Sequence, residues 1–177
     1  VGIGANTAVF SVINTVLLKP LTYRDPQSLV HLMNTGDQGS FPGANVPKFN
    51  IWRQQTGIFQ QTAAYDSGGA GLNLTGSDQP ERLTGQRVTS EYFRVLGVAP
   101  ALGRDFLAAD DRPQGPRVVI LGDRLWRRRF AADPSIVGRD ITLSGTQYTV
   151  IGVMPARFEN VLGPEAEIWG PMQYGLS

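Results

Sequence analysis

Two regimes of hydrophobic patterning divide the chain. Residues 1–18 carry no charged side chain, whereas from Leu21 onward short apolar runs alternate with clusters of Gly, Pro, Asp and Asn. The second regime predicts short strands and helices joined by tight turns. Residues 28–33 read as a first strand, followed by a loop over 34–45 in which Gly36, Gly39, Pro42 and Gly43 act as breakers. Residues 47–55 place Phe49, Ile51 and Trp52 at helical spacing, with Pro47 in the first turn, where its missing N–H does no harm. Runs 59–65 and 70–74 predict a hairpin around Ser67-Gly68-Gly69.

Further on, 83–88 reads as a strand and 91–96 as a short helix, capped by Ser90 and ended by Gly97. The near-continuous apolar run 117–121 predicts a strand buried on both faces. Residues 123–130 form a helix pattern with Leu125, Trp126 and Phe130 on one side, and Asp133-Pro134 marks a turn. Runs 140–143 and 147–154 predict a hairpin across Ser144-Gly145, and 167–169 a last short strand. Strands mixed with short helices indicate an α+β fold built on mixed sheets.

The first regime has membrane character. A bilayer span needs about 20 mostly apolar residues. The run 1–18 is short of that and diluted by Asn6, Thr7, Ser11, Asn14 and Thr15. It reads as the outer part of a span, with Gly4 and Ala8 at the small-xxx-small spacing that lets membrane helices approach. Pro20 stops it, Lys19 is placed to snorkel and Tyr23 suits the interface. An apolar helix buried in a soluble core fits this segment, taken alone, equally well. The chain starts at Val1 and stops at Ser177 without a closing helix, so both ends are expected to lie inside a longer protein.

Composition narrows the chemistry. Sixteen basic against fifteen acidic residues leave a net charge of +1, without the basic surplus of a nucleic-acid binder. The absence of cysteine excludes disulfides and thiolate metal sites. Gly2-Ile3-Gly4 lacks the third glycine and preceding strand of a dinucleotide fingerprint, and no P-loop motif occurs. His31, the single histidine, has no evident partners for a triad or a metal site. Asp105, Asp110 and Asp111 lack calcium-loop spacing and read as loop or helix-start residues. Arg127, Arg128 and Arg129 fan over different faces of a helix, which suits a solvated side more than a phosphate site. Asn73-Leu74-Thr75 is a formal glycosylation sequon. No catalytic, cofactor-binding or metal residue is assigned.

The order of several motifs carries a resemblance. Leu17-Leu18-Lys19-Pro20-Leu21 and Tyr23-Arg24-Asp25-Pro26 come first, then Trp52-Arg53-Gln54-Gln55, Pro80-Glu81-Arg82 and Tyr92-Phe93-Arg94-Val95-Leu96-Gly97-Val98. Pro100-Ala101-Leu102-Gly103-Arg104, Leu125-Trp126-Arg127-Arg128-Arg129-Phe130, Asp133-Pro134-Ser135-Ile136-Val137-Gly138-Arg139 and Val150-Ile151-Gly152-Val153-Met154-Pro155 follow. In this order they resemble MacB-like and FtsX-like ABC transporter permeases of the acidobacterial duplicated orphan type, from the end of the first membrane helix through the periplasmic core domain. The resemblance implies residues 1–21 as the C-terminal part of the first transmembrane helix. It implies 22–177 as an extracytoplasmic domain, incomplete at its C-terminus. It places the protein in the bacterial inner membrane with Lys19 and Arg24 outside, against the simple charge rule.

The implied function is a non-enzymatic permease component without cofactors, coupling ATP hydrolysis by a partner ATPase to export or mechanical work. The implied partners are that ATPase, a second permease copy, and a periplasmic adaptor or effector protein, with no nucleic acid. Exposed loops 34–45 and 105–116 are the candidate partner surfaces. The alternative is a membrane-anchored ligand-binding module or hydrolase, which needs a deep pocket or a gathered catalytic group.

Overall fold

The computed structural model describes residues 28–36, 39–66, 69–76 and 80–174. The apolar segment 1–18, the turn around Tyr23 and Asp25, and Ser67-Gly68 lie outside the described residues. The elements are β1 (Met33–Gly36), β2 (Gly39–Pro42), α1 (Val46–Arg53), β3 (Ala70–Thr75), β4 (Glu81–Val88) and α2 (Tyr92–Val95). They continue with β5 (Leu102–Gly103), β6 (Val118–Leu121), α3 (Asp123–Phe130), a 3-10 turn (Pro134–Ile136), β7 (Asp140–Leu143), β8 (Thr146–Val153) and β9 (Ile168–Pro171). This is the expected α+β fold.

The main sheet runs β5-β8-β6-β9-β4-β3-β7, and β7 pairs again with β8, so the ladder closes on itself. Pairs β4–β9 and β6–β8 are parallel, while the β3–β4, β6–β9 and β7–β8 pairs are antiparallel. Closure explains the burial of β6, because alternate residues along a strand face opposite sides. Val119 and Leu121 join an inner cluster with Leu74, Leu83, Leu143, Val150 and Ile168. Val118 and Ile120 point the other way, into an outer cluster with Val88, Phe93, Phe106, Met154 and Trp169. Leu125 of α3 and Ile136 of the 3-10 turn belong to the inner cluster, and α2 supplies Tyr92 and Phe93 to the outer one.

Several local expectations hold to the residue. Helix α3 spans the expected 123–130, with Leu125 buried and the Trp126 indole N–H donating to the Asp133 carbonyl at 2.9 Å. The β7–β8 connection is Ser144-Gly145 with φ of 49° and 80°. Two positive φ values make the turn whose twist suits a two-residue hairpin.

Other expectations are corrected. The first strand lies at Met33–Gly36, not 28–33, and it pairs with β2 inside the stretch read as loop 34–45. Gly36 opposes Gly39, which has φ of 106°, so two glycines read as breakers are the last pair of the β1–β2 ladder. The expected hairpin of 59–65 with 70–74 does not form. β3 pairs instead with β4, Leu72 opposite Leu83, and the 59–65 segment contributes a single bridge from Tyr65 to Val88. The Leu72 and Leu74 face is drawn to the inner cluster, which 59–65 does not line. Ser90 does not cap α2. Glu91 holds the cap position without a side-chain cap bond, and the Ser90 hydroxyl donates to Glu91 Oε1 at 3.0 Å.

Candidate functional site

The acidic residues singled out in the sequence sit on the loop between β5 and β6, and the structure uses each as an internal fastener. Asp110 is 3% exposed and forms a 2.6 Å ion pair with Arg104, while the Leu107 N–H donates to it at 2.8 Å. Burial alone raises its pKa, but the Arg104 hydrogen bond, the Leu107 N–H and the Arg104 charge outweigh it and leave the carboxyl below its usual range. Asp105 accepts the Phe106 N–H at 2.7 Å. Asp111 accepts the main-chain N–H of Ser90 at 2.9 Å and of Gln173 at 2.8 Å. Burial raises the pKa of both Asp105 and Asp111, and the charge of Glu91 adds to it. These carboxylates are committed to main-chain donors and Arg104.

The arginine run has a similar fate. Arg127 pairs with Asp123 at 2.8 Å, Arg128 with Glu81 and Glu167 at 2.6 Å each, and Arg129 with Glu81 at 3.3 Å. Two of the three guanidinium groups thus hold α3 against the starts of β4 and β9. Exposed pairs are screened by water and contribute little, so this network orients the helix more than it stabilises the fold. His31 lies 3.2 Å from the Tyr65 hydroxyl, and the Asn73 main chain exchanges bonds with Ser144 at 2.8 and 3.1 Å. Gly2-Ile3-Gly4 lies outside the described residues. Among the described residues, no group of three or more His, Cys, Asp or Glu side chains is placed to hold a metal ion.

Sequence reasoning missed a buried polar network. The Tyr92 hydroxyl donates to Asn160 Oδ1 at 2.7 Å, and Asn160 Nδ2 donates to Gln86 Oε1 at 2.8 Å. The Trp169 indole N–H reaches the same Gln86 oxygen at 3.3 Å, and Gln86 Nε2 donates to the Asp66 carbonyl. Such a network fixes the relative positions of β4, α2, β9 and the loop carrying Asn160, since breaking it strands a buried polar group. Nothing short of the three-dimensional register signals it.

Two grooves open on the surface, and the larger is mainly apolar. A groove of about 870 Å³ runs between the 97–101 and 155–158 turns, and Arg157 is the one charged residue lining it. A smaller one of about 320 Å³ lies over Thr84, Gln86 and 162–166. Val30, Ile51 and Ile58 are 66%, 59% and 73% exposed, all on the arm that precedes β3. The two expected partner surfaces differ in kind. The 34–45 stretch is largely a hairpin, whereas 105–116 is an irregular loop fastened internally and exposing Leu107. Among the described residues, no helix is long and apolar enough to cross a membrane.

The architecture is one found in the extracytoplasmic regions of ABC-type transporters. It matches the periplasmic region of MacB from Actinobacillus actinomycetemcomitans with TM-score 0.60 at 18% identity, covering 84% of this chain and 60% of that one. It also matches the extracellular domain of the noncanonic ABC-type transporter YknZ from Gram-positive bacteria, with TM-score 0.50 at 20% identity over 62% of this chain and 53% of that one. In sequence, 90 residues are 33% identical to the macrolide export ATP-binding/permease protein MacB of Chromobacterium violaceum, covering 51% of this chain and 14% of that protein. A further 36% identity over 66 residues links it to the protein of the same name from Hahella chejuensis, covering 37% of this chain and 10% of that one. The chain thus spans a small part of these relatives' length. The family described as MacB-like periplasmic core domain matches residues 1–176, and the chain belongs to it.

Proposed function

We propose that this chain is the extracytoplasmic domain of an inner-membrane ABC permease subunit, coupling ATP hydrolysis by a partner ATPase to export or mechanical work. Residues 1–21 are then the end of the first membrane helix, and 22–177 lie outside the membrane. The family match over 1–176 carries this reading. The domain has no catalytic role in it and binds no cofactor. Its task is to convert a membrane-helix movement into a displacement outside. A closed ladder with a cluster on each face suits that task, since packed cores shift as units and not by continuous deformation. The exposed apolar side chains of the arm and the β1–β2 hairpin offer contact surface for a second permease copy or a periplasmic adaptor or effector.

These 177 residues contain no cysteine, so once any cysteine elsewhere in the complex is replaced, a single probe attached at Ile58→Cys reports from an exposed site. In the permease reconstituted with its ATPase, the separation between probes on two copies should change when ATP binds and return after hydrolysis. An unchanged separation in a complex that hydrolyses ATP would sink the coupling role.

A further inference from the structure

Segments far apart in the sequence meet just after β9, held there by main-chain and carboxylate contacts more than by core packing. Asp111 takes the N–H of Ser90, beside the start of α2, on one oxygen and that of Gln173 on the other, at 2.9 and 2.8 Å. Gln173 sits at φ 52°, a left-handed conformation that non-glycine residues seldom adopt. Its side-chain amide donates to the carbonyls of Asp110 at 2.9 Å and Pro116 at 3.0 Å. The loop closes tightly around that amide. A Cβ added at Gly115 would stand 2.6 Å from the Asp110 carbonyl oxygen and 3.1 Å from Gln173 Nε2.

The next residue reaches a different element. The Tyr174 ring meets Phe49, the buried residue of α1, edge-on at 5.9 Å, and its hydroxyl accepts from Arg53 at 3.1 Å. Arg53 also lies over the Phe49 ring at 5.9 Å. Tyr174 therefore touches α1 at two residues, Phe49 and Arg53.

We propose that residues 172–174 form a strap that couples α1 to the start of α2 and the 105–116 loop, so that seating of Gln173 on Asp111 and seating of α1 on Tyr174 change together. The strained backbone of Gln173 gives the strap its second state. Without the Asp111 contact, Gln173 relaxes to an ordinary φ, its side chain leaves the loop, and Tyr174 turns away from Phe49. Coupling of this kind is reciprocal, so loosening α1 must also weaken the Asp111 joint. A use for the strap in transport rests on the function proposed above, but the coupling is a property of this chain alone.

Hydrogen exchange of the full chain, read at α1, β6, Ser90 and Gln173, tests this in two variants. Asp111→Asn keeps the size of the side chain but can accept only one of the two N–H groups. It should speed exchange of α1 amides about tenfold or more while β6 stays protected. Tyr174→Ala should speed exchange at Ser90, on the far side of the strap, and at Gln173 within it, again with β6 protected. If Asp111→Asn also exposes β6, Tyr174→Ala decides alone. Unchanged exchange at Ser90 and Gln173 in Tyr174→Ala overturns the strap, as does unchanged α1 exchange in a folded Asp111→Asn. Either failure leaves the nucleotide-linked movement of the Ile58 probe untouched, so the two ideas fall separately.

Discussion

Replacing Phe93 by alanine should lower the stability of the domain by about 3–5 kcal/mol, the range seen when a large buried aromatic is truncated and its cavity only partly closes. Phe93 has no exposed surface and centres the outer cluster. Its ring meets Tyr92 at 5.4 Å, Phe158 at 5.6 Å and Trp169 at 5.7 Å, each near edge-on, and stacks with Phe106 at 6.2 Å. These partners come from α2, β9, the loop after β5 and the loop after β8, so one truncation loosens all four. Equilibrium urea unfolding is the measurement, read as a lower midpoint with an unchanged slope. A loss under about 1 kcal/mol would show that the neighbouring rings collapse into the gap, and that Phe93 is not the centre of the cluster.

The second large effect is expected at Gly103, where β5 turns against β8. Its φ is 72°, and an added Cβ would lie 2.1 Å from the Ile151 carbonyl oxygen and 3.0 Å from the Gly152 Cα. Both obstacles are main chain, so no side-chain rotation relieves them. Gly103→Ala should therefore detach β5 or push it off β8, breaking the bonds from Ala101 N–H to the Val153 carbonyl and from Arg104 N–H to Ile151. The left-handed conformation alone costs about 1–2 kcal/mol for a non-glycine residue, and the clash brings the expected loss to about 2–4 kcal/mol. Gly138 is the control. It has φ of 91° with nothing within 4 Å of an added Cβ, so Gly138→Ala should lose only the conformational part. Equal losses at the two glycines, by urea unfolding, would contradict the close approach at β5.

Where sequence and structure agree, the signal is local. Helix α3 was legible because its apolar spacing and its bounds lie within one segment, and the β7–β8 turn because Ser144-Gly145 has one favourable geometry. The two-sided burial of β6 was legible from four consecutive apolar residues. Strand partners were not legible, because closure of the ladder chooses them. β3 takes β4 and β7 as neighbours, and β7 is brought round by β8. The β1–β2 pairing was hidden because Gly36 and Gly39, which interrupt the apolar pattern, are themselves paired ladder residues.

The candidate surfaces were legible only in outline. Asp110 and Asp111 stood out as an acidic pair, but the role of Asp111 depends on Gln173, far along the chain. The apolar groove requires the 97–101 and 155–158 turns to face each other, which no local pattern encodes. The family resemblance succeeded where local reading failed, since it rests on the order of motifs along nearly the whole chain.

The most direct test of the account is the side of the membrane on which this domain stands. The 177 residues hold no cysteine, so in the complete permease, with any cysteine outside them replaced by serine, Ile58→Cys offers one exposed thiol in the described arm. Cells with a permeabilised outer envelope and an intact inner membrane are treated with a maleimide that cannot cross membranes, before and after the inner membrane is broken. The account predicts full labelling while the inner membrane is intact. Labelling that appears only after it is broken would place the domain in the cytoplasm and contradict the extracytoplasmic assignment.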